Sequence, residues 1–389
     1  MSYPHLLQLP YHSNPYPIYV ELRERGELWW DDRHQPWLAT TSDSVAAILS
    51  SLDCVVRPPH ELVPKAIANG AAGQIFGKLM RMNEGEAHRL AKASLQQALR
   101  QITPDRLQTI MQAQNGFIDL LDGPQHQSHQ LDPERLNRWI FAVPVRTMAM
   151  ALGFDHAQSA VIEQEIADFV ACLSPLSHEM ALQRAHQAAL HLQQRLAQMF
   201  QEQSGEEGSF AHAYQLAIDE HGWQDASAWI ANLLGILSQT YEASAGLLGN
   251  CIVGCIAHLR TQGLHRDFPL ESDVQRYVQQ IAQQDPAIHN TRRFVVRDWE
   301  IAGQTLKAGQ TILLLLASAN HSEAEAQMSF SHARHRCPGE ALALSIASSA
   351  LTLLLQAYSS DALRDLQFQY RPSMNARMPT FSHLNDASK

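Results

Sequence analysis

The 389-residue chain has few cysteines, and they are scattered at Cys54, Cys172, Cys251, Cys255 and Cys337. An odd and sparse set in a chain of this length excludes a disulfide framework and favours a reducing compartment. Cys251 and Cys255 have the i,i+4 spacing of one helix face but lack further ligands nearby, so they do not predict a metal site. Most of these cysteines are therefore expected to be small buried apolar groups.

The chain is also poor in charge, especially positive charge. Charged residues make up 17%, and 29 basic against 39 acidic residues give a net charge of −10. Such a chain is a poor candidate for nucleic-acid binding. Its apolar stretch 311–319 is far shorter than the roughly 18–20 residues of a membrane span, and residues 1–5 lack the pattern of a signal peptide. We therefore expect a cytoplasmic protein with neither nucleic acid nor membrane as a partner.

Helical periodicity dominates what is present. The spacing predicts helices over roughly 86–101, 134–152, 179–203, 226–260 and 339–356. The helix over 226–260 is apolar almost all round, which places it in the middle of the protein. Strand signals are short and lie at 37–40, 294–296, 300–301 and 311–316. We expect 294–296 to pair with 300–301, in a mainly helical protein with a minor strand region and one core.

Residues 330–343, FSHARHRCPGEALA, form a polar, basic loop that delivers Cys337 to the start of an apolar helix. A cysteine at a helix N-terminus, preceded by His335 and Arg336, is expected to have a lowered pKa, and its thiolate can ligate a metal. Gly339 allows a flat ligand to approach closely.

This loop resembles the cysteine loop of the cytochrome P450 family. The matching positions are Phe330, Ser331, His335, Cys337, Gly339, Leu342 and Ala343. Ala333 stands where the family usually has glycine. The resemblance implies that Cys337 is the axial ligand of a haem iron, whose thiolate favours O–O cleavage.

The resemblance covers most of the chain, including segments at 37–58, 141–146, 291–310 and 319–320. It implies a mainly α cytochrome P450 fold, a single domain over 1–389 with one haem core. The β-rich part would span about 1–60 and 286–320, and the helical part about 86–285 and 337–357.

A haem carries two propionates, whose burial requires charged or hydrogen-bonding partners. By resemblance these partners, with the residues that contact the haem b itself, are His88, Lys92, Arg293, His335, Phe330 and Gly339. Lys92 replaces the family's usual arginine.

The central helix departs from the family pattern. Glu242 matches the family's acid, but Ala243 occupies the position of its threonine, and Gln239 and Thr240 replace a small residue and a glycine. Either Ser244, Thr240 or a substrate hydroxyl takes over the proton path, or the protein does not run ordinary oxygen-activated hydroxylation. Glu242 and Gln239 are further candidates for acid–base work or substrate recognition.

The family's buried Glu–Arg pair is absent, because its positions hold Gln280 and Gln283. The loop that completes this pair is shortened to 322–329. Losing all three partners together avoids an uncompensated buried charge, which indicates a divergent member of the family.

The pocket-lining segments implied by the resemblance are 60–82, 172–178, 288–290, 374–378 and the helix around Leu237 and Tyr241. Among them, Leu237, Tyr241, Ile288 and His289 are candidate substrate contacts. The sequence thus predicts an iron-binding haem-thiolate oxidoreductase, a monooxygenase or oxidase of a small organic molecule in secondary metabolism, with ferredoxin or flavodoxin as its redox partner. Two alternatives stay open: a reductase-independent peroxygenase, dehydratase or isomerase, and a non-catalytic haem-binding protein.

Overall fold

The computed structural model describes residues 5–113, 116–122, 131–175, 177–262, 271–322 and 327–383. Its helices are α1 (Tyr16–Glu24), α2 (Ser42–Ser50), α3 (Ala71–Lys78), α4 (Gly85–Leu99), α5 (Pro104–Gln112), α6 (Gly116–Asp122), α7 (Pro133–Leu152), α8 (His156–Phe169), α9 (Glu179–Gln203), α10 (Phe210–His221), α11 (Ala226–Gln262), α12 (Glu271–Gln284), α13 (Leu316–Asn320), α14 (Glu340–Ala357) and α15 (Ser360–Arg364). Short 3-10 turns lie at Leu6–Tyr11, Met80–Met82, Val170–Leu173 and Ala333–His335.

The strands are β1 (Leu28–Trp30), β2 (Trp37–Ala39), β3 (Cys54–Val55), β4 (Thr291–Val295), β5 (Trp299–Ile301), β6 (Gln304–Leu306), β7 (Thr311–Leu314), β8 (Leu366–Tyr370) and β9 (Pro379–His383). Five of them form one sheet in the order β1-β2-β7-β4-β3, in which only β2 and β7 pair in parallel. The pairs β5–β6 and β8–β9 form separate hairpins.

The core surrounds α11, which packs against α7, α9, α12 and α14. Its residues from Ala245 to Ile252 are buried, as its all-round apolar sequence predicts. Two glycines let the C-terminal segment approach this helix. A Cβ at Gly249 would lie 2.6 Å from Pro379 Cγ, and one at Gly246 would lie 2.8 Å from the Arg377 carbonyl oxygen. This close approach fixes the β8–β9 hairpin against α11.

The sequence predictions of a mainly helical class and of the five helices are confirmed, with ends that shift by one or two residues. The predicted pairing of 294–296 with 300–301 is wrong. Residues 300–301 pair instead with 304–305. The chain reverses at Ala302 and Gly303, which both have positive φ, while β4 is paired on both edges by β7 and β3.

Two helices are apolar over a length that could span a membrane, in contrast to the short run expected from the sequence. They are α14 and the Ala226–Thr261 part of α11. In the most apolar window of each helix, 67% of the α11 residues and 33% of the α14 residues are buried. Core helices of soluble proteins commonly pass the same test, so this composition is weak evidence for a membrane.

Candidate functional site

Cys337 lies between the 3-10 turn Ala333–His335 and the first residue of α14. Its backbone N–H donates to the Phe330 carbonyl over 2.8 Å and closes the loop. The Gly339 N–H hydrogen-bonds to its thiol. The other four cysteines are buried, whereas Cys337 is exposed. The loop therefore presents one accessible sulfur at a fixed place.

The expected lowering of the Cys337 pKa is not what this structure shows. Burial raises the pKa of the thiol, and the Gly339 N–H, Lys92 and Arg336 lower it without reversing the shift. Cys337 is thus an exposed residue whose thiol is nevertheless desolvated by the protein atoms around it. A ligand that bonds to this sulfur would be enclosed by the protein.

The backbone of this loop is strained at two residues. Ser331 has a φ of 64° and Ala333 a φ of 50°. A non-glycine residue in this left-handed region costs roughly 1–2 kcal/mol. The conformation gives the physical reason why glycine suits position 333.

Charged side chains from three separate segments meet beside the loop. Lys92, on α4, donates to the Arg334 carbonyl, and its charge acts on the Cys337 thiol. The rings of His88 and His335 lie 4.4 Å apart between centroids. The structure therefore brings together these predicted haem contacts, which lie about 240 residues apart in the sequence.

Arg293, on β4, completes this group. It is only 4% exposed, its Nη1 donates to the Arg292 carbonyl over 2.8 Å, and its buried Nε has no hydrogen-bond partner among the described residues. Burial lowers the pKa of Arg293 to about 10, and the charge of Glu84 opposes that shift. An unpartnered buried guanidinium nitrogen is costly unless a ligand satisfies it.

Glu84, at the N-terminus of α4, organises the cluster and was not predicted. Both of its carboxylate oxygens lie 3.1 Å from His335 Nε2, and one accepts from Arg334 Nε over 3.0 Å. Burial alone would raise the pKa of Glu84, but the hydrogen bonds from His335 and Arg334 outweigh it and lower the pKa to about 2. An acidic residue at a helix start was the only sequence signal, and it does not reveal these partners.

The histidines of the cluster are neutral at physiological pH. Burial, with the charges of His335 and Lys92, lowers the pKa of His88 to about 4. Burial also lowers the pKa of His335, although Glu84 opposes the shift. The permanent cations Lys92, Arg293 and Arg334 therefore exceed the carboxylate of Glu84 by two positive charges.

A cavity of about 430 Å³ lies against this cluster, with Glu84, His88, Lys92 and Arg334 in its wall. Arg334 is fixed there, because its two Nη atoms donate to the carbonyls of Leu49 and Cys54 over 3.2 and 2.9 Å. The cationic groups are thus held by the protein before any ligand binds.

On α11 the polar side chains proposed for proton transfer are engaged with their own helix. Thr240 Oγ1 donates to the Ile236 carbonyl over 2.8 Å, and Gln239 Nε2 donates to the Gly235 carbonyl over 3.0 Å. Ser244 is buried, with 4% exposure. Thr240 therefore has its hydroxyl proton committed to the backbone.

The predicted substrate contacts do not all lie together. Tyr241 packs on Phe141 with ring centroids 4.8 Å apart, and Leu237 is fully buried in the core. Ile288 forms a β-bridge with Ala376 in the C-terminal loop.

His289 belongs to a different polar network from the α11 residues. It is fully buried, its Nδ1 lies 2.9 Å from Tyr19 Oη, and its Nε2 lies 3.7 Å from Asp285 Oδ1. Arg377 Nε lies 2.8 Å from the same carboxylate oxygen. These contacts join the N-terminal helix, the end of α12 and the C-terminal loop, which is a structural arrangement.

Gln280 and Gln283 hold the positions of the absent Glu–Arg pair, and the hydrogen bonds in this region are made by uncharged groups. Gln280 is exposed, and the Gln283 carbonyl accepts from Asn320 Nδ2 over 2.9 Å. Ser329 Oγ donates to the Ala282 carbonyl over 2.5 Å, and the Met328 N–H donates to Asn320 Oδ1 over 2.6 Å. Uncharged side chains thus tie the end of α12 to the segment that leads into the cysteine loop.

Comparison with known proteins gives relatives of one kind. No family model matches the chain. It is 21% identical over 386 residues to the biotin biosynthesis cytochrome P450 of Bacillus subtilis (strain 168), covering 94% of each chain. It is 24% identical over 241 residues to putative cytochrome P450 133B2 of Xylella fastidiosa (strain 9a5c), covering 56% of this chain and 58% of the relative.

Solved structures share the fold at low identity. P450BioI, in complex with acyl carrier protein ligated to hexadec-9Z-enoic acid, has a TM-score of 0.75 at 18% identity and covers 96% of this chain and 100% of its own. Epothilone B-bound P450epoK has a TM-score of 0.76 at 14% identity, with 96% and 97% covered. These likenesses concern the whole chain and identify its fold.

Proposed function

We propose that the chain, which is similar to cytochrome P450 proteins in sequence and in fold, is a haem-thiolate oxidoreductase of that family whose axial ligand is Cys337. The observation that carries the proposal is the placement of Cys337, which is the exposed cysteine and is held by the Phe330 carbonyl at the start of α14. Coordination to a metal deprotonates a thiol, so the raised pKa of the free thiol is no obstacle.

The surrounding residues fit a haem, for which haem b is the proposed form. The two excess positive charges of the Glu84 cluster match the two propionates, and the unpartnered Arg293 Nε supplies a donor. Lys92 and Arg293 would hold the propionates, with His88 and His335 as neutral hydrogen-bonding partners. When bound, the haem supplies redox chemistry at a thiolate-ligated iron, which favours O–O cleavage.

The α11 residues favour an atypical reaction. Ala243 has no hydroxyl, and the Thr240 hydroxyl donates a hydrogen bond to the Ile236 carbonyl. A proton for the reacting centre would therefore come from Ser244, from Glu242, from the substrate or from water that the substrate orders. This observation favours a second candidate function, a catalyst that needs no reductase. It would use peroxide, as a peroxygenase does, or no oxidant at all, as a dehydratase or isomerase does.

The substrate class proposed is a small organic molecule of secondary metabolism. The similar proteins include a biotin biosynthesis cytochrome P450 and the epothilone B-bound P450epoK. A cytoplasmic location and a ferredoxin or flavodoxin partner complete the proposal. The basic residues His332, Arg334 and Arg336 lie in the cysteine loop, where they would meet an acidic partner.

The ligand assignment is tested by the carbon monoxide difference spectrum of the ferrous protein. We expect the thiolate-type band in the native protein and its loss in Cys337→Ser. Cys251→Ala is the matched control, because Cys251 is buried in α11, and it should keep the band. An unchanged band in Cys337→Ser would show that another residue ligates the iron.

The reaction type is tested by supplying either ferredoxin, its reductase and NADPH, or hydrogen peroxide alone. Turnover only with the reductase system supports the oxidase or monooxygenase, and turnover with peroxide alone supports the second candidate. Ala243→Thr restores a hydroxyl on α11, and it should raise the reductase-driven rate if oxygen activation is limited by proton delivery. A rate that Ala243→Thr leaves unchanged would contradict that limitation.

A further inference from the structure

Arg81 is a partly buried arginine whose guanidinium has no hydrogen-bond partner among the described residues. It lies in the 3-10 turn Met80–Met82, which is tied to α11 because the Met80 N–H donates to Asn232 Oδ1 over 2.7 Å. Its Nε is buried and unsatisfied, and its guanidinium makes no hydrogen bond or ion pair with any residue that the structure describes. A buried N–H donor without an acceptor is unfavourable unless a ligand accepts from it.

The side chains around Arg81 come from the segments expected to line a substrate pocket. Its charge acts on Glu242 of α11 and on Cys172 of the 3-10 turn Val170–Leu173. Glu242 also interacts with Arg371, which follows β8 and whose N–H donates to the Met378 carbonyl over 3.0 Å. Four separate parts of the chain therefore converge on this point.

The charges at this point do not cancel. Burial lowers the pKa of Arg81 and raises that of Glu242, and both residues are only partly exposed. Arg81 and Glu242 form no direct ion pair. The charge of Arg371, an exposed residue, also acts on Glu242, so two guanidinium groups act on one carboxyl group and Arg81 keeps its donors for a ligand.

Next to these charges lies an aromatic wall. The rings of Phe141 and Tyr241 are 4.8 Å apart, and the Arg371 guanidinium carbon lies 5.2 Å above the Phe141 ring. Such a wall suits an apolar or aromatic body, with its anionic end at the guanidinium groups.

We propose that Arg81 anchors a carboxylate of the substrate, so that the enzyme acts on an organic acid with an apolar or aromatic body. This inference rests on the proposed haem-thiolate function and names its substrate class. Arginine presents a planar fork of donors that matches a carboxylate. The acid would accept hydrogen bonds from the unpartnered Arg81 guanidinium.

The test is a binding titration of the haem protein, followed by the shift of the haem absorption band. The probes are decanoate, phenylbutyrate and indole acetate, each paired with its methyl ester. We expect at least one acid to bind about tenfold or more tightly than its ester, the factor for a charge-assisted hydrogen bond. No acid binding better than its ester would overturn the inference.

Variants assign the preference to Arg81. Arg81→Gln should remove the preference for the acid, and Arg81→Lys should restore part of it. Arg276→Gln is the matched control, because Arg276 is 82% exposed on α12 and pairs with Asp273, and it should keep the preference. A preference that survives Arg81→Gln would assign the acid to another group and contradict the inference.

Two measurements keep this test separate from the proposed function. The carbon monoxide spectrum reports the haem-thiolate centre, so a normal spectrum without any acid preference overturns only the Arg81 inference. If Arg81→Gln does not fold, the rise in melting temperature of the native protein with each acid and its ester still decides the matter. Equal rises for acid and ester count against the inference.

Discussion

Asn320 Nδ2 donates to Ser329 Oγ over 2.6 Å, and this contact brings α13 against the residue that precedes Phe330. The same amide group also donates to the Gln283 carbonyl at the end of α12. The family resemblance predicts a charged pair in this region. Here Gln280 is exposed, and the contacts between α12, α13 and Ser329 are made by uncharged groups. Uncharged contacts of this kind need no further charged residue to compensate them.

Asn320→Ala should loosen the cysteine loop. The substitution leaves the Met328 N–H and the Gln283 carbonyl without their partner, at about 1–3 kcal/mol for each buried group. We expect a lower free energy of unfolding in urea and a partial change of the carbon monoxide spectrum from the thiolate type to the thiol type.

Asn137→Ala is the matched control for this prediction. Asn137 also makes two hydrogen bonds to the backbone, both to Phe381 in the C-terminal hairpin, over 2.9 and 2.8 Å. It should lower stability without changing the spectrum. If both variants keep the native spectrum, Asn320 only stabilises the fold and does not position the loop.

Ala333→Gly should stabilise the protein by about 1 kcal/mol. The left-handed φ of 50° at Ala333 carries a cost that glycine avoids, less the extra entropy that glycine loses on folding. The melting temperature of the haem protein measures the effect. Ala302→Gly, at a φ of 52° in the β5–β6 turn, should give a similar gain.

Ala308→Gly is the negative control, because Ala308 is exposed and is not among the residues with positive φ. It should give no gain. A gain at Ala302 without one at Ala333 would show that other contacts of the cysteine loop compensate the strained backbone.

The sequence predicts much of the fold and the centre of the site. The helix bounds follow from periodicity and from capping residues such as Asp132 and Asp155, which are local signals. His88, Lys92, Arg293 and His335 could be selected because the family motifs fix their positions. The structure brings them into one cluster, although their roles toward a haem stay predictions.

The remaining features depend on contacts between distant residues. Glu84 meets His335 across 251 positions, and the residue types alone give no sign of that contact. The raised pKa of Cys337 depends on how many protein atoms surround its sulfur, which a loop sequence does not specify. His289 was a reasonable pocket residue by position, but its neighbour Asp285 and the distant Tyr19 draw it into a buried network.

Asp285→Asn should destabilise the protein by about 3–5 kcal/mol. Arg377 is 3% exposed, and it would lose the charge of the Asp285 carboxylate at 2.8 Å while staying buried. Tyr16, which donates to the same carboxylate, would also lose its charged acceptor. Urea unfolding measures the effect.

Asp298→Asn provides the comparison for Asp285→Asn. Asp298 also pairs with a cation at 2.8 Å, but both Asp298 and Lys307 are more than half exposed. Its removal should change stability little, because exposed ion pairs contribute little. Equal losses in the two variants would mean that burial of the Asp285 pair does not determine its contribution.

Glu84→Gln should flatten the acid side of the stability profile. Hydrogen bonds from His335 and Arg334 overcome the effect of burial and lower the pKa of Glu84 from 4.5 to about 2. Because the folded pKa is depressed, the stabilisation is present above pH 4.5 and is lost as the pH falls towards 2. After allowance for solvent screening, that stabilisation is about 1–3 kcal/mol.

We expect the free energy of unfolding of the native protein, measured in urea, to fall over this pH range. Glu84→Gln should have a lower free energy of unfolding at neutral pH, and that free energy should change less in acid. Glu86→Gln is the control, since Glu86 is exposed in the next turn of the chain and pairs only with Arg89. Parallel acid profiles for the native protein and Glu84→Gln would contradict the assignment of Glu84 as the carboxylate that holds Arg334 and His335 in place.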